Sequence, residues 1–195
     1  MYYGAMDVPL SPLGEAEAEA AAQYLQQFDL QHVACSPLSR ALYGATKVME
    51  LQQSELASDL IVLDGFTEMD RGAWCGLTLD EIGPDLMARF DACDESVTPQ
   101  GGESYSELKN RVIQARNHVL DVLHEGRAAA VVSHLQVTRS ILSDAMDMPI
   151  SAMSKLKIAT ASITCIDYCD GDVQTVHFQS FKPETELAAS KDGAN

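Results

Sequence analysis

Short apolar runs alternate along this chain with longer segments of helical periodicity, and that alternation constrains the fold more than any other feature. HVAC (32–35), LIVL (60–63) and residues 129–133 read as buried strands. Ser11-Pro12 opens a first helix, because serine caps and proline is tolerated in the first turn; Leu13, Ala20, Leu25 and Phe28 supply its apolar side. Ser36-Pro37 is read as opening a second helix, with Ala41, Ala45, Val48 and Met49 on one face. Residues 79–93 are weakly helical, and PQGGES (99–104) leads into a long helix through Leu123. A further helix follows His134 and runs to about Met146. Two extended segments, 158–168 and 172–181, flank the turn Asp170-Gly171. Strands that alternate with helices imply an α/β three-layer sandwich, with a mainly parallel sheet and helices on both faces. Residues 1–182 read as a single domain without internal repeat or linker, and 183–195, rich in Ala, Glu, Lys and Gly, as a flexible tail.

Charge narrows the partners. The net charge of −16 argues against nucleic acid and against an anionic membrane surface, both of which require a basic face. A small anion stays open, since a few local donors outweigh a distant negative surface. No apolar run is long enough to span a bilayer, and MYYGAMDVPLSPLG lacks the basic and apolar regions of a signal peptide. The five cysteines (Cys35, Cys75, Cys93, Cys165, Cys169) are odd in number and scattered, so free thiols and a cytoplasmic location are expected.

In such sheets ligands sit beyond the carboxyl ends of the strands. Two strand–helix junctions carry suitable chemistry there. CSPLSR places Arg40 in the first turn of a helix whose free N–H groups face the crevice, and VVSHLQ places His134 at the matching exit of another strand. A guanidinium, an imidazole and two helix N-termini aimed at one crevice describe an oxyanion site, with phosphate the natural occupant. Taken singly, each residue has an ordinary structural reading: His134 as a hydrogen-bonder, Arg40 as a surface residue, Glu68 as a solvated loop acid.

Taken together, the motifs resemble the histidine phosphatase superfamily, phosphoglycerate-mutase-like branch. DVPLSPLGEAEA (7–18) resembles its Asp-x-Pro-Leu-Thr-x-x-Gly-x-x-Gln-Ala, and CSPLSRALYGA (35–45) its Ser-Pro-Leu-x-Arg-Ala-x-x-Thr-Ala. FTEMDRGAWCGLT (66–78), GGESYSEL (101–108) and VVSHLQVTRSIL follow in the family order. The resemblance implies attack of a nucleophilic histidine on a phosphorylated small molecule, then hydrolysis of the phosphohistidine, with neither cofactor nor metal required. By position it makes Arg40, Ser36 and His134 phosphate-binding, and His134 and Glu68 catalytic, with Glu68 the acid–base. The short stretch from Glu68 to Gly101 favours the phosphatases, such as α-ribazole phosphatases and broad phosphomonoesterases, over the mutases.

The family's Arg-His-Gly nucleophile motif is absent, and Met1–Asp7 resembles the loop that normally follows it. The expectation is therefore a chain truncated at its N-terminus, lacking the nucleophile, one clamp arginine and the first strand. His32, His118, His124 and His177 are read as structural. Leu135 and Gln136 stand where the family has paired glycines, and Cys75 where it has Glu. Three accounts stay open: a truncated phosphatase, a protein that binds a phosphorylated ligand without turnover, or a different nucleophile. Phosphoglycerate-mutase-type phosphoryl transfer is a further alternative. Cys35 with Arg40 outlines a cysteine-phosphatase loop, but with four intervening residues where five are needed. Cys165 and Cys169 fall on a strand, too far apart for easy chelation, so no metal site is expected.

Overall fold

A computed structural model describes residues 1–52 and 60–185. Its helices are α1 (Pro12–Leu25), α2 (Ser39–Leu51), α3 (Leu79–Ile82), α4 (Pro84–Asp91), α5 (Tyr105–Val122) and α6 (Leu135–Ala145). Its strands are β1 (Leu30–Cys35), β2 (Leu60–Val62), β3 (Ala128–Val132), β4 (Ile163–Cys169) and β5 (Asp172–Phe181). The expected flexible tail lies, from residue 186 onward, outside the described residues.

Strands β2, β1 and β3 form a parallel sheet in that order, with Cys35 opposite both Val62 and Val132. Strand alternation sends side chains to the two faces. Val33 and Cys35 of β1 and Ala130 of β3 pack with Ala22 of α1 and with Ala45 and Val48 of α2. Ala34, flanked by Ala129 and Val131, packs on the other face with Val112 and Val119 of α5 and Val137 of α6. The three-layer α/β sandwich is thus present, with parallel strands covered by helices on both faces as such sheets require. β4 and β5 form a separate antiparallel sheet around Asp170 and Gly171, so the parallel character belongs to the three-stranded sheet alone.

Two helix boundaries differ from expectation. Helix α2 begins at Ser39, not at Ser36-Pro37, because the Ser36 hydroxyl is used elsewhere and Leu38 keeps extended backbone. Its cap comes from 32 residues upstream: Asp7 Oδ1 accepts from Ser39 N at 2.8 Å and from Ser39 Oγ at 2.7 Å. The segment 79–93 is two helices, parted by Gly83 at φ +98°. Ser104 and Glu107 form a reciprocal capping box at the start of α5, fixing where the GGES loop turns into helix.

Candidate active site

Neighbouring parallel strands deliver the first two groups. Cys35 and Val132 are in register, so the residues after them leave the sheet side by side. Ser36 N donates to Val132 O at 3.1 Å, which fixes the turn. His134, the residue preceding α6, then brings Nε2 to 2.8 Å from Ser36 Oγ. Ser36 is fully buried and also accepts from Leu38 N at 3.2 Å. The structure therefore places Ser36 against His134, as a group that orients the imidazole.

Burial lowers the pKa of His134 to about 3, reinforced by the positive fields of Arg40 and Arg111 and opposed by Asp7. The imidazole is neutral at physiological pH and offers one N–H donor. Arg40 projects from the first turn of α2. Its Nη1 donates to Met6 O at 2.8 Å and its Nη2 to Gly4 O at 2.9 Å. The expected crevice of free N–H groups is thus partly filled by the segment 4–7, which meets both Arg40 and the first N–H of α2. Asp7 stays well ionised, its pKa lowered by the two Ser39 hydrogen bonds and by Arg40 and His134.

Glu68 joins this group from the connection after β2. Its Oε1 accepts from Met69 N at 2.7 Å and its Oε2 from Gln136 N, in the first turn of α6, at 3.4 Å. Desolvation raises its pKa against those two hydrogen bonds and the fields of Arg71 and Arg40. A raised pKa makes a carboxyl a readier proton donor than an ordinary surface glutamate. Gln136 Oε1 is buried without a hydrogen-bond partner, a consequence of a long side chain where the resembled motif has glycine.

The loop that carries Glu68 is held by a pair the sequence reading did not single out. Arg111, on α5, donates through Nη1 to Gly65 O and Thr67 O and through Nη2 to Glu68 O. Its other donors grip Glu103, Nε to Oε2 at 2.9 Å and Nη2 to Oε1 at 2.5 Å. Glu103 Oε1 also accepts from Asp70 N, and Asp70 O accepts from Glu103 N. The glycines here permit backbone to meet backbone: a Cβ on Gly72, at φ +47°, would lie 2.3 Å from Gln100 O. A cleft of about 300 Å³ runs beside the clasp, lined by Ala5, Thr67, Glu68, Asp70, Glu103 and Arg111 among others.

The remaining candidates lie elsewhere. Cys35 is fully buried and its thiol is pushed up to about 11 by desolvation, the reverse of what a thiolate nucleophile needs. His32 Nε2 lies near Val122 O, and His177 Nε2 is 2.6 Å from Asp167 Oδ2. His118 is on α5 and His124 just beyond it. Among the described residues no cluster of three or more His, Cys, Asp and Glu could hold a metal, and no helix is long and apolar enough to cross a membrane. All five cysteines are free.

An imidazole, a guanidinium and a carboxyl of raised pKa thus lie at the carboxyl edge of a parallel sheet, where α/β proteins of this kind bind their ligands. The profile of the histidine phosphatase superfamily, branch 1, matches residues 1–180, and the chain belongs to that superfamily. It is 34% identical over 175 residues to the bifunctional protein Rv2228c of Mycobacterium tuberculosis, covering 87% of this chain and 46% of that protein. The chain thus spans about half the length of that relative. It is 28% identical to phosphoserine phosphatase 1 of Hydrogenobacter thermophilus, over 85% of this chain and 77% of that one. Among solved structures it is similar to YhfR of Bacillus stearothermophilus, with a TM-score of 0.82, 25% identity and coverage of 92% and 88% of the two chains.

Proposed function

We propose that this protein hydrolyses a phosphorylated small molecule through a phosphohistidine, with the attacking imidazole supplied by residues outside these 195. The observation that carries the reading is the convergence of His134, Ser36, Arg40 and Glu68 at one edge of the sheet. The attacking nitrogen bonds to phosphorus as the ester P–O bond breaks. Glu68 gives its proton to the departing oxygen. Water then attacks the phosphohistidine, and the Glu68 carboxylate takes the proton that water loses. Arg40 and His134 hold the phosphoryl oxygens, and Ser36 orients His134. We place Ser36, Arg40, Glu68 and His134 in one domain, residues 1–182, and favour hydrolysis over mutase-type transfer because the stretch from Glu68 to Gly101 has no long insertion.

An external nucleophile is supported by two features. None of the other four imidazoles contacts this group among the described residues. Among the described residues β3 also has a strand neighbour on only one side, β1, while β4 and β5 pair with each other. The test is made on the native protein purified from its source. It is incubated with a phosphomonoester, quenched in alkali and mapped by peptide mass spectrometry. Phosphohistidine in a peptide outside Met1–Asn195 supports the proposal. An intact mass equal to Met1–Asn195 with no phosphate released overturns it.

That second result would favour binding of a phosphorylated ligand without turnover. The hydrogen bonds of Arg40 to Gly4 and Met6 support this alternative, since the segment 4–7 already occupies part of the crevice. Under either account Arg40→Ala abolishes the thermal stabilisation conferred by phosphate.

A further inference from the structure

We propose that Arg71 is a specificity-determining residue that receives a carboxylate on the phosphomonoester; this rests on the phosphoryl site described above. Arg71 differs from every other arginine among the described residues. Arg89, Arg111, Arg116 and Arg127 are paired with carboxylates, and Arg40 and Arg139 donate to backbone carbonyls. Among the described residues the Arg71 guanidinium donates to no oxygen. It lies 5.1 Å from the ring centroid of Tyr2 and 5.0 Å from that of Phe90, and its Nη1 is 3.8 Å from Met87 Sδ.

Ring faces and a thioether hold the cation in place while leaving its donors toward oxygen unspent. The carboxyls of Glu68 and Asp91 act on this half-buried cation only through space, without a direct ion pair among the described residues, so a ligand anion in contact with the guanidinium would compensate it more fully. The residue is next to the phosphoryl site. Its Cγ would lie 3.0 Å from a Cβ on Gly4, whose carbonyl takes an Arg40 donor. It is also three residues beyond Glu68 on the same loop, and both guanidiniums act on that carboxyl. A planar fork matches a carboxylate bidentately. One cation balances the single charge of a carboxylate. A second phosphoryl group, carrying nearly two charges, would meet the carboxyls of Glu68 and Asp91, on both of which Arg71 acts, with too little positive charge to offset it.

The test compares phosphoserine with phosphoethanolamine, which differ by the carboxylate alone. Affinity is measured on the native protein by titration calorimetry, or as KM where the probe is turned over. The wild type is expected to prefer phosphoserine by about tenfold or more, and Arg71→Met to reduce that preference to about twofold or less. Methionine keeps a long apolar stem against the two rings. Should it fail to fold, Arg71→Lys, which keeps the charge but loses the fork, is expected to lower the preference at least about threefold. Equal binding of both probes by the wild type, or an undiminished preference in the variant that folds, overturns the role of Arg71. If neither probe nor inorganic phosphate binds the wild type, the phosphoryl site itself is wrong and the inference falls with it.

Discussion

Ser36 Oγ lies 2.8 Å from His134 Nε2, joining two residues 98 positions apart at the exits of adjacent strands. Leu38 N already donates to that hydroxyl, so its own proton has the imidazole nitrogen as acceptor. With the hydroxyl as donor, the neutral ring carries its proton on Nδ1 and accepts at Nε2. Nitrogen-15 NMR of His134 is expected to report the Nδ1–H tautomer. Ser36→Ala should shift the ring toward Nε2–H and weaken phosphate binding. A wild-type ring already protonated on Nε2 would refute this arrangement.

Stability should depend on pH through the same ring. The folded pKa of His134 is about 3 against an ordinary value of 6.5, so between these values the unfolded chain binds a proton that the folded one refuses. Stability therefore falls as the pH drops through that window, by at most about 1.4 kcal/mol per pH unit for this group. Urea melts at pH 7 and pH 4.5 should show a smaller acid loss in His134→Gln than in the wild type. Equal losses in the two would show that His134 is not the group responsible. Bound phosphate supplies a negative neighbour and should raise the histidine pKa, so binding is expected to take up protons at mildly acidic pH.

Glu68 has the opposite sign of linkage. Its folded pKa is raised, so the neutral form is favoured in the fold and stability is lost as the pH rises above its unfolded value. Glu68→Gln keeps the shape without the charge and is expected to melt higher than the wild type at pH 7. The gain is about 2–4 °C for each kcal/mol recovered in a domain of this size. The same change should cut hydrolysis by roughly 10²–10⁴-fold, the usual share of a general acid–base group. A variant that is both less stable and equally active would remove Glu68 from its assigned role.

Much of this site was legible because its chemistry sits at fixed places in the pattern. His134 and Arg40 follow apolar runs that could only be strands, and Glu68 lies in a motif with its own glycines. The start of α2 was not legible, because its cap is Asp7, a tertiary contact no local signal announces. Arg111 escaped for a similar reason: it is one polar position on a long amphipathic helix, indistinguishable by periodicity from a solvated arginine. The neighbouring Glu103 of the GGES motif was the available clue, since a glutamate after two glycines, followed eight residues on by arginine, brings a counter-ion within reach. The detachment of the β4–β5 hairpin from the parallel sheet was equally invisible, since strand patterns state which residues alternate but not which strands pair.

The Arg111–Glu103 clasp should be worth more to catalysis than to the fold as a whole. The five acceptors of Arg111 are the carbonyls of Gly65, Thr67 and Glu68 and the two oxygens of Glu103, which itself accepts from Asp70 N two residues beyond Glu68. Arg111→Ala leaves Glu103 half-buried without a counter-ion and three carbonyls without their donor. A loss of about 2–4 kcal/mol in urea denaturation is expected, within the range for breaking a partly buried charge pair. Arg111→Lys restores the charge but not the fork, so it should recover part of the stability while leaving the loop loosely held. In the lysine variant kcat is therefore expected to fall more than KM rises, because the proton donor moves while the phosphate-binding groups stay in place. A lysine variant with unchanged kcat would mean that the position of Glu68 does not depend on this clasp.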